Sequence, residues 1–195
     1  MLREASNINV QEQQNKGSLV DCNVVGNAIL NALKCNSSGS SSNVSNANGI
    51  GYFLDGYPRT LEQAKISENW PNHLHLTYAI SINVPGEVCV AKIIGRRKCN
   101  KCGASINLSN VNHGKFNLPS RIHECICDTN KHWTKRLDDT NDIAWKRFDD
   151  FVNKTQPVIE YFREKDRLIE FTPYCGVDDM HLLEELVWDK MKLSN

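Results

Sequence analysis

The chain lacks an excess of charge of either sign. Lys and Arg total 23 and Asp and Glu total 23 in 195 residues, so no global field draws it to nucleic acid or an anionic surface, and any phosphate site must be built from local arginines. It also lacks an apolar run of about 18 residues and a charged-then-apolar leader, so nothing in it reads as a membrane span or an export signal. It has no Gly-x4-Gly-Lys; Ser109 to Lys115 ends in Gly-Lys but opens on serine, and cannot cradle phosphate in the usual way. Paired cysteine spacing across the whole chain is missing too. Cys22, Cys35, Cys89 and Cys175 are scattered while Cys99, Cys102, Cys125 and Cys127 cluster, which favours reduced thiols and one metal site over a disulfide framework.

At 40% hydrophobic and 24% charged residues, the chain has enough apolar side chain for one substantial core with a small appended lobe. The stretch that organises it is Gly51 to Gln63, GYFLDGYPRTLEQ. The apolar run from Ile50 to Leu54 reads as a buried strand opening at Asp55-Gly56 into a turn, with Thr60 starting a helix to Asn69. Such a strand end presents Asp55, suited to hydrated Mg2+, and Arg59, suited to a bidentate phosphate contact. Arg59 and Gln63, four residues apart, share one side of that helix.

Before it, a helix is predicted from Asp21, with Asp21 as N-cap and Val24, Val25, Ala28, Ile29, Ala32 and Leu33 on one face. Residues 36–48 are Ser/Asn low complexity and read as an expanded loop. After it come a strand over Leu76–Val84, a helix over Gly86–Gly95 and three adjacent cations, Arg96, Arg97 and Lys98. Cys99-x2-Cys102 is half of a zinc knuckle. Cys125 pairs tightly with Cys127, whereas Asp128 restores the usual spacing. Structural zinc and free thiols in an unaided loop both remain open on the residues. Arg136 and Arg147 are eleven residues apart, near three turns if the helix already runs at Arg136. That helix continues through Val152 and Ile159 with a kink at Pro157. A strand over Leu168–Thr172 and an amphipathic helix over Asp178–Met191 close the chain, with Leu182, Leu183, Leu186 and Trp188 assigned to the core.

Asp55-Gly56-Tyr57-Pro58-Arg59 with Gln63, and Arg136-Leu137-Asp138-Asp139-Thr140 with Arg147, resemble two motifs of the nucleoside monophosphate kinases, adenylate kinases in particular. The resemblance runs from Leu2 to about residue 190. It implies an α/β fold, a P-loop kinase-like parallel sheet flanked by helices, with a lid over 98–135 and an AMP-binding lobe over 1–49. It implies phosphoryl transfer from ATP or GTP to AMP. On it, AMP would meet Arg3, Ser18, Leu19, Val20, Gly56, Tyr57, Pro58, Arg59 and Gln63. The donor would meet Lys92, Arg96, Ser105 and Ile106. Arg136 and Arg147 would clamp the transferring phosphate shared by both nucleotides, with Arg96, Arg136 and Arg147 the catalytic group. Asp138 and Asp139 resemble the pair that orders the closed lid.

Asp55 would hold Mg2+ through water, and Cys99, Cys102 and Cys125 with Asp128, or with Cys127 in its place, would hold structural Zn2+. The 39 residues between Arg96 and Arg136 resemble the long lid of adenylate kinases. The glycine-rich loop and first strand of that family precede its Leu-Arg motif and are not found here, so the chain is expected to be an N-terminally incomplete kinase with doubtful activity by itself. The alternative is a catalytically inactive, adenylate kinase-like nucleotide-binding or interaction protein. A monomer in the cytoplasm or in a mitochondrial or other organellar matrix, with nucleotides rather than nucleic acid or membrane as partners, completes the expectation.

Overall fold

The computed structural model describes residues 21–37, 52–122, 125–127 and 132–192. Arg3, Ser18, Leu19, Val20 and Asp128, together with residues 38–48 of the Ser/Asn-rich segment, lie outside the described residues. The chain divides into two compact units, residues 1–77 and 78–195.

In the first unit, helix α1 (Cys22–Ser37) starts where Asp21 predicts, its Oδ1 accepting from the backbone N–H of Asn23 at 3.0 Å and Val24 at 3.1 Å. These bonds satisfy donors that the first helical turn leaves without partners. The helix runs to Ser37, two residues into the stretch read as loop. It packs on α2 (Leu61–Ser67), whose N-cap Thr60 accepts from Gln63 N–H at 3.2 Å. Ala64, Trp70 and Leu74 supply the buried apolar residues, and the Tyr57 ring stacks on Trp70 with centroids 5.7 Å apart. The strand expected over Ile50–Leu54 is not seen in its described part. Tyr52–Leu54 is irregular and Phe53 is 84% exposed. A strand is defined by its ladder, and none of the described strands pairs with it.

The second unit is built on β1 (Ala79–Ile82), which pairs in parallel with β7 (Leu168–Phe171) in the register Ala79 to Leu168 through Ile82 to Phe171. Helix α3 (Gly86–Gly95) follows β1 with the predicted limits and passes directly into β2 (Arg96–Cys99). Strand β2 lies between β3 (Ser105–Asn107) and β6 (Trp133–Thr134), both antiparallel to it. Between β3 and β6 a hairpin of β4 (Val111–His113) and β5 (Phe116–Leu118) stands apart. Its Val111, Phe116 and Leu118 pack on Val84, Val88 and Ala91, in and just before α3. Parallel pairing with helical crossovers is the α/β architecture expected.

The long helix expected across Pro157 is two helices, α4 (Asn141–Lys154) and α5 (Gln156–Glu164), broken at Thr155. Proline is tolerated in the first turn of a helix but not within one, so the break falls two residues before it. Val158 and Phe162 of α5 and Ile169 and Phe171 of β7 are buried. Helix α6 (Met180–Lys192) corrects the assignment of its apolar face to the core. Leu182 is 43%, Leu186 44% and Trp188 60% exposed, while Leu183 is half-buried, and no residue of α6 is buried.

Candidate functional site

At the Asp55-Gly56 turn, Gly56 has φ +71°, a backbone region that a side chain strongly disfavours. The turn leaves Asp55 exposed and folds Arg59 back, its Nε donating to Gly56 O at 2.8 Å. Arg59 N–H in turn donates to Gln63 Oε1 at 2.7 Å, and Tyr57 Oη donates to Gln63 O at 3.1 Å. Gln63 is 4% exposed, so its carboxamide orders the turn from within. Burial, with a smaller contribution from Cys22, pushes the Tyr57 hydroxyl up to about 12, keeping it a neutral donor.

In the second unit, three arginines meet one short segment. Arg96, the first residue of β2 directly after α3, makes a bidentate pair with Asp139, Nη2 to Oδ1 at 2.6 Å and Nε to Oδ2 at 3.1 Å. Asp139 has no solvent exposure whereas the Arg96 side chain is 37% exposed. That geometry raises the arginine's pKa further and leaves one edge of a planar cation facing outward. Arg147 pairs with Asp138, both half-exposed. This contact, ahead of the Asp138 backbone N–H and the nearby Arg136, holds the Asp138 carboxyl below the usual range. The Arg136 side chain is exposed.

The helix does not yet run at Arg136. Leu137-Asp138 forms a turn, Thr140 caps α4 by accepting from Ile143 N–H at 3.4 Å, and α4 begins at Asn141. The two arginines are therefore associated through the turn and its aspartates, not by three helical turns. Such an arrangement concentrates guanidinium groups where phosphate oxygens can replace or join the carboxylates.

The sulfurs of Cys99, Cys102, Cys125 and Cys127 lie within 4.8 Å of one another. Cys127 thus supplies the fourth thiol. Trp133 Nε1–H donates to Cys125 Sγ at 3.4 Å. Backbone N–H groups of Cys102 and, more weakly, Lys101 bring the Cys99 thiol down to about 6, while desolvation beside the other thiols drives Cys127 up to about 12. Four soft donors at this separation fit a tetrahedral divalent ion.

Ser105 is exposed at the start of β3, but Ile106 is 2% exposed inside the small sheet and does not offer its side chain to a ligand in this conformation. Lys92 points its ammonium at backbone carbonyls of the lid. Asn107 and Ser109, which join that arrangement, carry no signal in the sequence, because their roles depend on the close approach of α3 to the chain after β3.

Residues 2–167 match the family model for adenylate kinase. A GTP:AMP phosphotransferase of Plasmodium falciparum is 30% identical over 184 residues, covering 91% of this chain and 76% of the relative. Adenylate kinases of Clostridium beijerinckii and Thermotoga petrophila are 38% and 34% identical over 124 and 132 residues. Those matches cover 62% and 67% of this chain and 54% and 57% of the relatives, so the chain spans just over half the length of these bacterial proteins. With the family model matched over most of its length, the chain belongs to the adenylate kinase family.

Proposed function

We infer that this chain serves phosphoryl transfer from a nucleoside triphosphate to AMP. The observation that carries the reading is the gathering of Arg96 and Arg147 on the segment Arg136–Thr140, through Asp139 and Asp138, with the charge of Arg136 itself near Asp138. Phosphoryl transfer needs little covalent chemistry from a protein; it needs alignment and neutralisation of charge spread over equatorial oxygens. Arg96 is the donor-phosphate contact, held in place by buried Asp139. Arg136, exposed beside Asp138, and Arg147, released from Asp138, take the transferring group.

On the acceptor side, Arg59 would meet the AMP phosphate, and Gln63 with Gly56, Tyr57 and Pro58 would frame the base. Arg3 and the segment Ser18-Leu19-Val20 complete the AMP set by resemblance. The exposed, hard oxygen of Asp55 suits Mg2+ held through water, which supplies neutralisation of the donor's phosphates. The four clustered thiols suit a structural zinc that stiffens the lid and takes no part in the reaction. The relative matched over 91% of this chain is named a GTP:AMP phosphotransferase, which sets GTP beside ATP as donor.

The test mixes the polypeptide with AMP, Mg2+ and ATP or GTP and follows nucleoside diphosphate formation. Its 195 residues hold no Gly-x4-Gly-Lys, so turnover by this polypeptide alone is expected to fall several orders of magnitude below that of a kinase possessing such a cradle. It should still exceed the Arg136→Ala/Arg147→Ala double variant by about a hundredfold. AMP binding with no turnover above that variant would replace this reading with a nucleotide-binding protein that does not transfer phosphate.

A further inference from the structure

The Lys92 ammonium donates to three backbone carbonyls, Ser109 O at 3.1 Å, Leu118 O at 2.9 Å and Pro119 O at 3.0 Å. An ammonium has three N–H donors and no acceptor, so these contacts use its full capacity. Among the described residues no carboxylate pairs with Lys92, and its charge is met by carbonyl dipoles. Burial, and then Arg121, lowers the Lys92 pKa, as expected for a cation withdrawn from water.

The carbonyls are not randomly placed. Ser109 lies just before β4, whereas Leu118 ends β5 and Pro119 follows it. Lys92 therefore joins the entry and exit of the β4–β5 hairpin and ties both to α3. The surroundings repeat the tie. Asn107 Nδ2 donates to Lys92 O at 2.8 Å, while Asn107 Oδ1 accepts from Ser109 N–H at 3.0 Å and Ser109 Oγ at 2.6 Å. Leu108 N–H donates to Gly95 O at 2.9 Å. A Cβ on Gly95 would lie 2.6 Å from Asn107 Oδ1 and 2.7 Å from Ser109 N, too near for any larger residue. The next residue after Gly95 is Arg96.

We propose that Lys92 is a positioning residue that bolts the neck of the lid hairpin to the end of α3, and thereby sets the lid strands relative to Arg96, rather than lying against the donor's base. The functional half of this inference rests on the phosphoryl-transfer reading above; the structural half does not. Removing the ammonium strands three carbonyls at the neck of the hairpin, while the bonds from Asn107 and Leu108 to backbone carbonyls of α3, the apolar contacts to Val84, Val88 and Ala91 and the contacts with Tyr174 remain. A base-contacting lysine would instead discriminate between purines.

Hydrogen exchange by mass spectrometry on the full chain tests the bolt without any need for turnover. In Lys92→Met, amides of residues 105–119 are expected to exchange about tenfold faster, with α5 and β7 unchanged. Methylammonium added to Lys92→Ala should restore part of the protection, because a free amine can occupy the same three carbonyls.

Equilibrium binding tests the positioning role. Dissociation constants for ATP and GTP should rise together by about tenfold, their ratio and the AMP constant staying fixed. Unchanged exchange over 105–119 overturns the bolt, whatever the activity of the protein. Loosened exchange with unaltered donor binding, or a changed ATP-to-GTP ratio, overturns the positioning role. Should Lys92→Met lose structure throughout, Lys92→Arg is decisive: its planar fork cannot reproduce three converging N–H bonds, and it must show the local loosening or the proposal fails.

Discussion

Asp138 and Asp139 are adjacent, chemically identical and each paired with an arginine, yet they contribute differently to the fold. Asp139 is fully buried and receives two bonds from Arg96; an unpaired charge in that position would carry a large desolvation penalty. Asp139→Asn keeps the shape but not the charge, and is expected to cost about 2 kcal/mol after allowance for the partly exposed arginine. Thermal denaturation should show a fall of about 5 °C. Asp138→Asn removes an exposed, solvent-screened pair with Arg147, and should cost much less than Asp139→Asn.

The pH dependence has a fixed sign. Arg147 depresses the folded pKa of Asp138, so its small contribution is complete above the ordinary carboxylate pKa of about 4 and is lost as pH falls through the lower folded value. Unfolding followed across that acid range should show this component in the native protein and not in Asp138→Asn. A larger loss from Asp138→Asn than from Asp139→Asn would refute the ranking. Asp139 was legible in the sequence only as one of a pair; its burial is a tertiary fact, produced when β2 carries Arg96 to the turn before α4.

The ends of elements that could be read most closely are those marked by a chemical stop. Helix α3 lies between Pro85 and Gly95, and Thr60 and Thr140 cap α2 and α4, because caps and breakers act locally. Pairing and coverage do not act locally. Phe53 sits in a run that reads as a strand but has no ladder among the described residues. Leu182 and Leu186 have helical spacing, but spacing names a face without naming what lies against it.

The lid was legible as one segment with thiols. The structure divides it into a small three-stranded sheet bearing the cysteines and a hairpin packed on α3. Only the first should respond to metal. Zinc titrated into the reduced protein should bind one ion per chain and slow exchange in β2, β3 and β6, leaving the Lys92 carbonyl site unaffected. Because thiols lose protons on binding, affinity should rise by about tenfold or more between pH 6 and pH 8. Cys127→Ser should weaken binding markedly; retention of full affinity would exclude Cys127 as the fourth ligand.

For the molecule as a whole, the weak point is the sheet. A parallel pair of strands has little independent stability, and β1 pairs only with β7 among the described residues. Ala79 N–H donates to Arg167 O at 2.9 Å and Asn83 N–H to Phe171 O at 2.7 Å. Alternation along a parallel ladder turns Ser81 N–H toward β7 and directs those of Ile80 and Ile82 away from it. Ile82 is also 48% exposed. An apolar edge of this kind is a template for another strand. In the 195-residue polypeptide, Ile80 and Ile82 amides are expected to exchange about a hundredfold faster than Ser81, measured by NMR under conditions where the fold is intact. Protection of Ile80 and Ile82 equal to that of Ser81 would mean that a further strand is paired there, and would overturn the placement of β1 at an open edge.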